Sequence, residues 1–429
     1  MSFLGAGSPS TLFQQMLCPN CRSPLDFNGQ PHFECQTEDC LAHQLRSKAF
    51  PVDETGIWHL LPVPLEAIAR EAMRRLKTFA PLVTERYSGW IATAESSEVQ
   101  RLKLVDLLRD MVAAEAMAKR GYYRNVVDWV SANELAQRHE RYEELFLDER
   151  VRSHIDRSED VVLVELGCGP GRYLIKYGSR VRSPSRNEPL ASFLDALSPK
   201  HWEFDDRPVF GFDPTFEKHF RLIVGIDYSP GMLSQAVAHL TQVGLHEEVN
   251  NRIQPILAVG QRFAGKWSRD LRDTHKICII AFQTLGNQSS DTLRVDLLKS
   301  AKSLVGPGGE VIVSVNSLAA WGDKDVGARR FYGQVSETVG SITDEEAFRR
   351  GVLRTNIGLT SEWFSPKALL AIFARAGMEP TLRTGDRDRV IDGVSLSSLP
   401  LFQSGASYVD LPMQERLLKK ILIAEARVA

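Results

Sequence analysis

The second half of this 429-residue chain predicts an open α/β sheet, mostly parallel, with helices on both faces. Three observations carry that expectation. From Val161 onward, short runs of branched aliphatics alternate with stretches of helical spacing, the pattern of a parallel sheet covered on both sides. A glycine-rich turn, VELGCGPGRYL at residues 164–174, lies directly behind the first of those runs. The last apolar run, LLKKILIAEARVA, follows a helix-and-strand signal and predicts a closing pair of strands.

Composition narrows the function. A chain that is 43% hydrophobic and 429 residues long can bury a sizeable core and has room for more than one domain. Fifty-two basic against fifty-four acidic residues give no global electrostatic reason to expect a polyanionic partner. No segment offers 18 uninterrupted apolar residues, and the first residues lack the basic start and apolar stretch of a secretory signal. The expectation is a cytoplasmic chain without a membrane partner.

Taken in order, residues 1–63 read as a small β-rich module with an Asn-Gly turn at 28 and 29. Four of the six cysteines, Cys18, Cys21, Cys35 and Cys40, fall inside it. Cys18 and Cys21 form Cys-x-x-Cys, Cys35 and Cys40 supply a second pair, and 13 residues separate the pairs. In a reducing compartment this spacing favours a closed, structural zinc site over disulfides. A redox motif lacks its βαβ surroundings, and a ligand role for His32 or His43 would leave a thiol unused. Cys168 and Cys278 sit singly in apolar runs and read as small buried hydrophobes.

Residues 64–154 change to helical spacing. In LVDLLRDMVAAEAMAKR, Leu104, Leu107, Leu108, Met111 and Val112 share one face. Such a segment serves as a lid over the sheet or as a homodimerisation surface. The third region, 155–429, holds the strands VVLVEL, FRLIVGID, RIQPILAV, KICIIAF and GGEVIVSV. Between the first two, residues 178–219 are rich in Pro, Ser, Asp and Arg and read as a loop insertion of the kind that often covers a ligand crevice. Near the end, Ser365 is an expected N-cap, with Pro366 in the first turn and Gly377 at the helix end.

Glycines 167, 169 and 171 would let the backbone approach a ligand where a Cβ would collide. A nicotinamide fingerprint would place its third glycine one residue later and carry an acid about twenty residues on. Here Glu165 precedes the glycines at the carboxyl end of the first strand. That position suits a cationic ligand and repels a pyrophosphate.

The blocks ELGCGPGR and IVGIDYSPGML together resemble the class I S-adenosylmethionine-dependent methyltransferases, and KICIIAFQTLGNQ and LVGPGGEVIVSV fit the same order over roughly residues 155–429. The resemblance implies a Rossmann-like sheet with a C-terminal antiparallel strand pair. It implies that Glu165 faces the methionine part of the cofactor and that Asp227 bonds both ribose hydroxyls. Gly167, Gly169 and Gly171 would form the loop, with Tyr228, Met232 and Gln283 as further contacts. Two departures stand out. Glu165 and Asp227 lie 62 positions apart, so the insertion must absorb the difference. The acid that often follows the third strand and bonds the adenine amino group is missing from ILAVGQRFAG, where Gln261 is the candidate substitute.

The run CPNCRSPL with AFPVDETGIWHLLP resembles zinc-ribbon modules found beside some methyltransferases, including a ribosomal RNA guanine methyltransferase family. That resemblance brings in RNA as a methyl acceptor. Charge argues the other way: residues 1–63 carry three basic side chains, Arg22, Arg46 and Lys48, against six acidic ones.

The loop after the fourth strand, FQTLGNQ, lacks an Asn-Pro-Pro-Tyr type signature and resembles enzymes acting on amino acids and small metabolites. Gln283, Asn287 and Tyr123 are the candidates to orient the acceptor, followed by Tyr122, Tyr332, Glu362 and Trp363. Methyl transfer needs mainly alignment and desolvation. The leading expectation is therefore a small-molecule N- or O-methyltransferase with structural zinc. The alternatives are an RNA methyltransferase and a cofactor-binding scaffold without turnover.

Overall fold

A computed structural model of the chain describes residues 12–26, 32–44, 49–62, 98–121, 134–183, 187–196, 210–321, 328–384, 390–391 and 421–429. The Asn-Gly turn at 28 and 29 lies outside the described residues.

The N-terminal module begins with β1 (Phe13–Met16) and continues through β2 (Leu25–Asp26), β3 (His32–Cys35), β4 (Ala49–Pro51) and β5 (Trp58–Leu60). Strands β2, β3 and β4 form a small antiparallel sheet. Two long helices follow, α1 (Glu98–Lys119) and α2 (Glu134–Ile155). On α1, Leu107, Leu108, Met111 and Val112 are all buried, the stripe that the helical spacing predicts.

The main unit alternates as expected: β6 (Val161–Leu166), α3 (Arg172–Val181), α4 (Glu188–Ala196), α5 (Pro214–His219), β7 (Phe220–Asp227), α6 (Pro230–Gln242) and β8 (Ile253–Ala258). After these come β9 (Gly265–Trp267), β10 (His275–Ile280), α7 (Asp291–Val305) and β11 (Glu310–Asn316). A small hairpin, β12 (Val352–Arg354) with β13 (Thr360–Glu362), precedes α8 (Pro366–Arg375), β14 (Thr381–Thr384), β15 (Val390–Ile391) and β16 (Ile421–Arg427). Ser365 caps α8 by accepting from Ala368 N at 3.2 Å, and Gly377 ends it at φ 71°.

The nine-stranded sheet runs β15-β14-β16-β11-β10-β6-β7-β8-β5. Strands β11, β10, β6, β7, β8 and β5 are parallel, and β16 enters antiparallel between β11 and β14. This is a Rossmann-like sheet with a closing antiparallel strand pair. From β6 the chain moves to one side through β7 and β8, then crosses back to place β10 on the other side. The crevice at the carboxyl ends of β6, β7 and β10 is therefore a topological switch point, where open α/β sheets bind ligands.

Two structural details differ from the sequence reading. Residues 178–219, read as a loop, begin inside α3 and hold the helices α4 and α5. Their described side chains pack away from the crevice: Leu190, Phe193, Phe210 and Phe216 join Leu147, Val151 and Tyr177 in the core between α2, α3 and the sheet. The N-terminal module also does not stop at its own sheet. Its β5 pairs in parallel with β8 and its β1 pairs with β9. Phe13, Phe33, Phe50 and Trp58 share one core with the apolar face of α7.

Helix α3 is buried on every residue, which places three cations inside the protein. Helix α2 neutralises them in register. Arg172 pairs with Glu143 and Glu144, Lys176 meets Asp148 at 3.2 Å and donates to the Glu144 carbonyl at 2.7 Å, and Arg180 pairs with Asp148. Breaking one partner of a buried pair leaves an uncompensated charge and costs about 3–5 kcal/mol. Asp148→Ala should lose stability of that order in urea denaturation. Adding Lys176→Met to Asp148→Leu should recover part of it.

Candidate active site

The glycine turn joins β6 to α3 at the switch point. Gly167, Gly169 and Gly171 all have positive φ, at 79°, 51° and 87°. At Gly167 a Cβ would lie 2.2 Å from Thr284 Cγ2, and at Gly171 it would lie 2.9 Å from Ala236 Cβ. At Gly169 it would meet nothing within 4 Å, because that backbone faces an open cleft. Two of the glycines thus let the turn pack, and the middle one clears space.

The cleft encloses about 900 Å³, solvent at its mouth included. Glu165, Gly167, Gly169, Asp227, Tyr228, Met232 and Asn287, all singled out in the sequence, line it together. Glu165 is only 3% exposed, and its Oε2 is buried without a hydrogen-bond partner. Burial, reinforced by Asp227, pushes its carboxyl well above the usual range. Asp227 accepts from Gly169 N at 2.9 Å and from Ser229 N at 2.8 Å, leaving acceptor capacity facing the cleft. Burial raises it to about 6 against the pull of those backbone bonds.

The other candidates have different surroundings. Gln283 does not line the cleft. Its amide donates to Ser361 Oγ and Glu362 O and accepts from Asn316 N, which ties the loop after β10 to β11 and β13. Gln261 lies on the short turn Gly260–Arg262 behind the cleft, donating to Gln288 Oε1 at 2.6 Å. Gly171 caps α3. Tyr122 and Tyr123 lie outside the described residues. Tyr332 donates to Gly340 O at 2.9 Å, Glu362 pairs with Arg294 at 2.6 Å, and Trp363 is buried against Trp321.

Sequence reasoning offered α1 as a lid or a dimerisation surface but named none of its residues for the site. Asp110, Ala113, Ala114 and Met117 form one wall of the cleft. Asp110 Oδ2 accepts from Ser289 N at 3.0 Å, while its Oδ1 is buried without a partner. Burial raises this carboxyl to about 7. One turn further on, Glu115 accepts from Ser229 Oγ and, at 2.8 Å, from Gly231 N at the start of α6. That bond fixes α1 beside Asp227. Phe282 and Thr284, on the loop after β10, complete the walls. Phe282 takes φ 44°, held there by Glu143, which accepts from its backbone N at 2.8 Å.

The four N-terminal cysteines converge as the spacing predicts. Their sulfurs lie within 4.8 Å of one another, with Cys18 to Cys40 at 3.8 Å and Cys21 to Cys35 at 3.6 Å. A disulfide needs about 2.05 Å. Four thiolates at the usual 2.3 Å zinc–sulfur distance would sit about 3.8 Å apart on a tetrahedron, so the cluster fits zinc. Neither histidine considered as a substitute joins the group.

A second cluster, His154, His275 and Glu310, lies at the amino ends of β10 and β11. The two rings stack 3.5 Å apart at 17°, so their nitrogens point along nearly parallel lines and do not converge on one ion. Burial lowers His275 to about 4. For His154 the bonds to Glu310 and Glu159 outweigh burial and raise it. His154, bonded to Glu310 at 3.2 Å and stacked on His275, locks α2 to β10 and β11.

No protein-family model matches the chain, and no curated protein matches it. Solved structures with a similar trace include the CcbJ methyltransferase from Streptomyces caelestis, at 15% identity over 62% of this chain and 88% of that one, TM-score 0.31. An amino pentose methyltransferase from Micromonospora echinaspora is 13% identical over 66% of this chain and 90% of its own, TM-score 0.31. The Burkholderia thailandensis 1,6-didemethyltoxoflavin-N1-methyltransferase is 12% identical over 64% and 74%, TM-score 0.29. At these scores the likenesses carry no weight for the site, whose reading rests on its own geometry. Among the described residues no helix is long and apolar enough to cross a membrane.

Proposed function

We propose that the chain is an S-adenosylmethionine-dependent methyltransferase of a small-molecule acceptor, an amino acid or specialised metabolite. One observation carries the reading: Glu165 is buried and unpartnered at the floor of a switch-point cleft that Asp227 and a cleared glycine turn also line. An uncompensated buried carboxylate is costly unless a ligand supplies the partner. Glu165 would take the ammonium of the methionine moiety, and Asp227 the ribose hydroxyls. Tyr228 and Met232 offer apolar contact to the adenine. The free oxygen of Asp110 would accept from its amino group, replacing the acid missing after β8. When bound, the cofactor supplies a methyl group on a sulfonium already activated for in-line displacement. The chain's own work is to align the acceptor and exclude water, with Asn287, Phe282 and Thr284 nearest to it.

Acidic lining and an acidic N-terminal module both favour a small acceptor over RNA. In this reading the four cysteines hold a structural zinc with a closed ligand shell, which leaves it no part in the chemistry.

Each of Glu165→Gln and Asp227→Asn should weaken S-adenosylhomocysteine binding about 10- to 100-fold in calorimetry, the weight of a hydrogen bond to a charged group. Unchanged affinity in both would remove this site. All three ligand groups donate to carboxylates, so binding favours their ionised forms and releases protons. Affinity should therefore climb between pH 5 and pH 8 as Asp227 and Asp110, raised to about 6 and about 7, ionise. Methyl-tritiated S-adenosylmethionine added with cell extract should label the small-metabolite fraction. Label in RNA would make the ribbon a recognition element, and binding without any labelled product would leave a scaffold.

A further inference from the structure

The thiol cluster lies outside the cleft, yet a continuous chain of hydrogen bonds joins the two. The Cys18–Cys21 knuckle closes through Cys18 N to Ser23 O at 2.8 Å and Arg22 N to Cys18 O at 2.9 Å. It sets Arg22 in the left-handed region at φ 68°. From there the guanidinium donates to Arg262 O at 2.6 Å and Gln261 O at 3.4 Å. These are successive carbonyls of the turn after β8. Arg262 reaches back to Pro19 O, inside the knuckle, at 3.5 Å.

The turn passes the constraint on. Gln261 Nε2 donates to Gln288 Oε1 at 2.6 Å, and Gln288 Nε2 donates to Thr284 O at 3.0 Å. Gln288 and Thr284 both line the cleft, and the Thr284 side chain fills the space that a Cβ at Gly167 would need. The links from Arg22 to Arg262 O at 2.6 Å and from Gln261 to Gln288 at 2.6 Å are short and join segments distant in sequence, and the last, from Gln288 to Thr284, lies within one loop.

We infer that the ribbon is a positioning element of the cofactor cleft, acting from its metal knuckle through Arg22 to Gln261, Gln288 and Thr284. This rests on the methyltransferase reading of the cleft. It also gives the acidic ribbon a task other than nucleic-acid contact, since Arg22 spends its charge on protein carbonyls. A zinc ion held by the four cysteines would fix the knuckle, the knuckle aims Arg22, and Arg22 holds the turn from which Gln261 reaches Gln288 on the wall of the cleft.

The test uses the full-length, zinc-loaded chain. Arg22 is solvent-exposed, and alanine and lysine meet the same left-handed backbone cost as arginine, so the substitutions leave the core intact. Arg22→Ala should keep the wild-type zinc content and melting temperature and bind S-adenosylhomocysteine about 5- to 10-fold more weakly, with Arg22→Lys in between. The KM for the cofactor should rise with kcat at saturation unchanged, a split that general destabilisation does not produce. Gln261→Leu should have the same effect, and the double variant should be no weaker than the worse single one. Wild-type affinity in zinc-retaining Arg22→Ala would overturn the inference. If Arg22→Ala loses zinc, wild-type affinity in Gln261→Leu overturns it instead. A wild-type chain that binds no S-adenosylhomocysteine overturns the reading of the cleft itself.

Discussion

Much of the site hangs on one buried carboxylate outside the sheet. Glu143, on α2, accepts from Arg172 and Tyr173 at the start of α3, from Ser314 on β11 and from the backbone N of Phe282. Those donors belong to the helix that follows the glycine turn, the neighbouring strand, and the loop that forms the far wall of the cleft. A single acceptor thus fixes two walls of the cleft relative to β11, and the ion pairs along α2 and α3 hold it in register. Such a network is costly when one member is missing, which makes its geometry specific.

What could be read from the sequence was local. The glycine turn, Glu165, Asp227 and the four cysteines lie within a few residues of a signal that defines them, and the structure brings each group together. Gln261 and Gln283 were harder because an amide takes its direction from tertiary partners, and theirs are Gln288 in one case and Glu362 with Asn316 in the other. Asp110 and Glu115 did leave a trace. On the apolar stripe of α1, Asp110 follows Leu107 by three and Glu115 follows Met111 by four, so both charges sit where a buried face should be apolar. Acids on such a stripe must find a partner elsewhere, and Glu115 finds it at the N-terminus of α6, where backbone donors await an anion. The partner itself, more than a hundred residues away, has no sequence signature.

The N-terminal module solves a second problem of the fold. A parallel sheet ending at β8 would expose a row of unpaired backbone groups, and β5 covers it. The stacked rings of Phe13 and Trp267, 4.6 Å apart, then seal β1 against β9. Docking of this kind explains how an acidic ribbon earns its place: its outer residues need no basic partner surface, because its inner ones complete the sheet and its core.

Under the proposed function, the cleft acids mark where stability is given up for binding. Burial raises Asp110, Asp227 and Glu165 above their values in an unfolded chain. A carboxyl whose folded pKa is raised binds a proton more tightly when native, so it favours the fold below the folded pKa and loses that contribution as pH rises through it. At neutral pH the ligand-free protein holds these groups at a cost that a purely structural core would avoid by placing apolar side chains there. Donors on a ligand reverse the sign, turning the same carboxylates into partners. Relief of that electrostatic cost would add to the affinity of the proposed ligand, and α1 belongs to that balance because it contributes Asp110. A helix that supplies a strained acid to the site is held more firmly when the site is occupied.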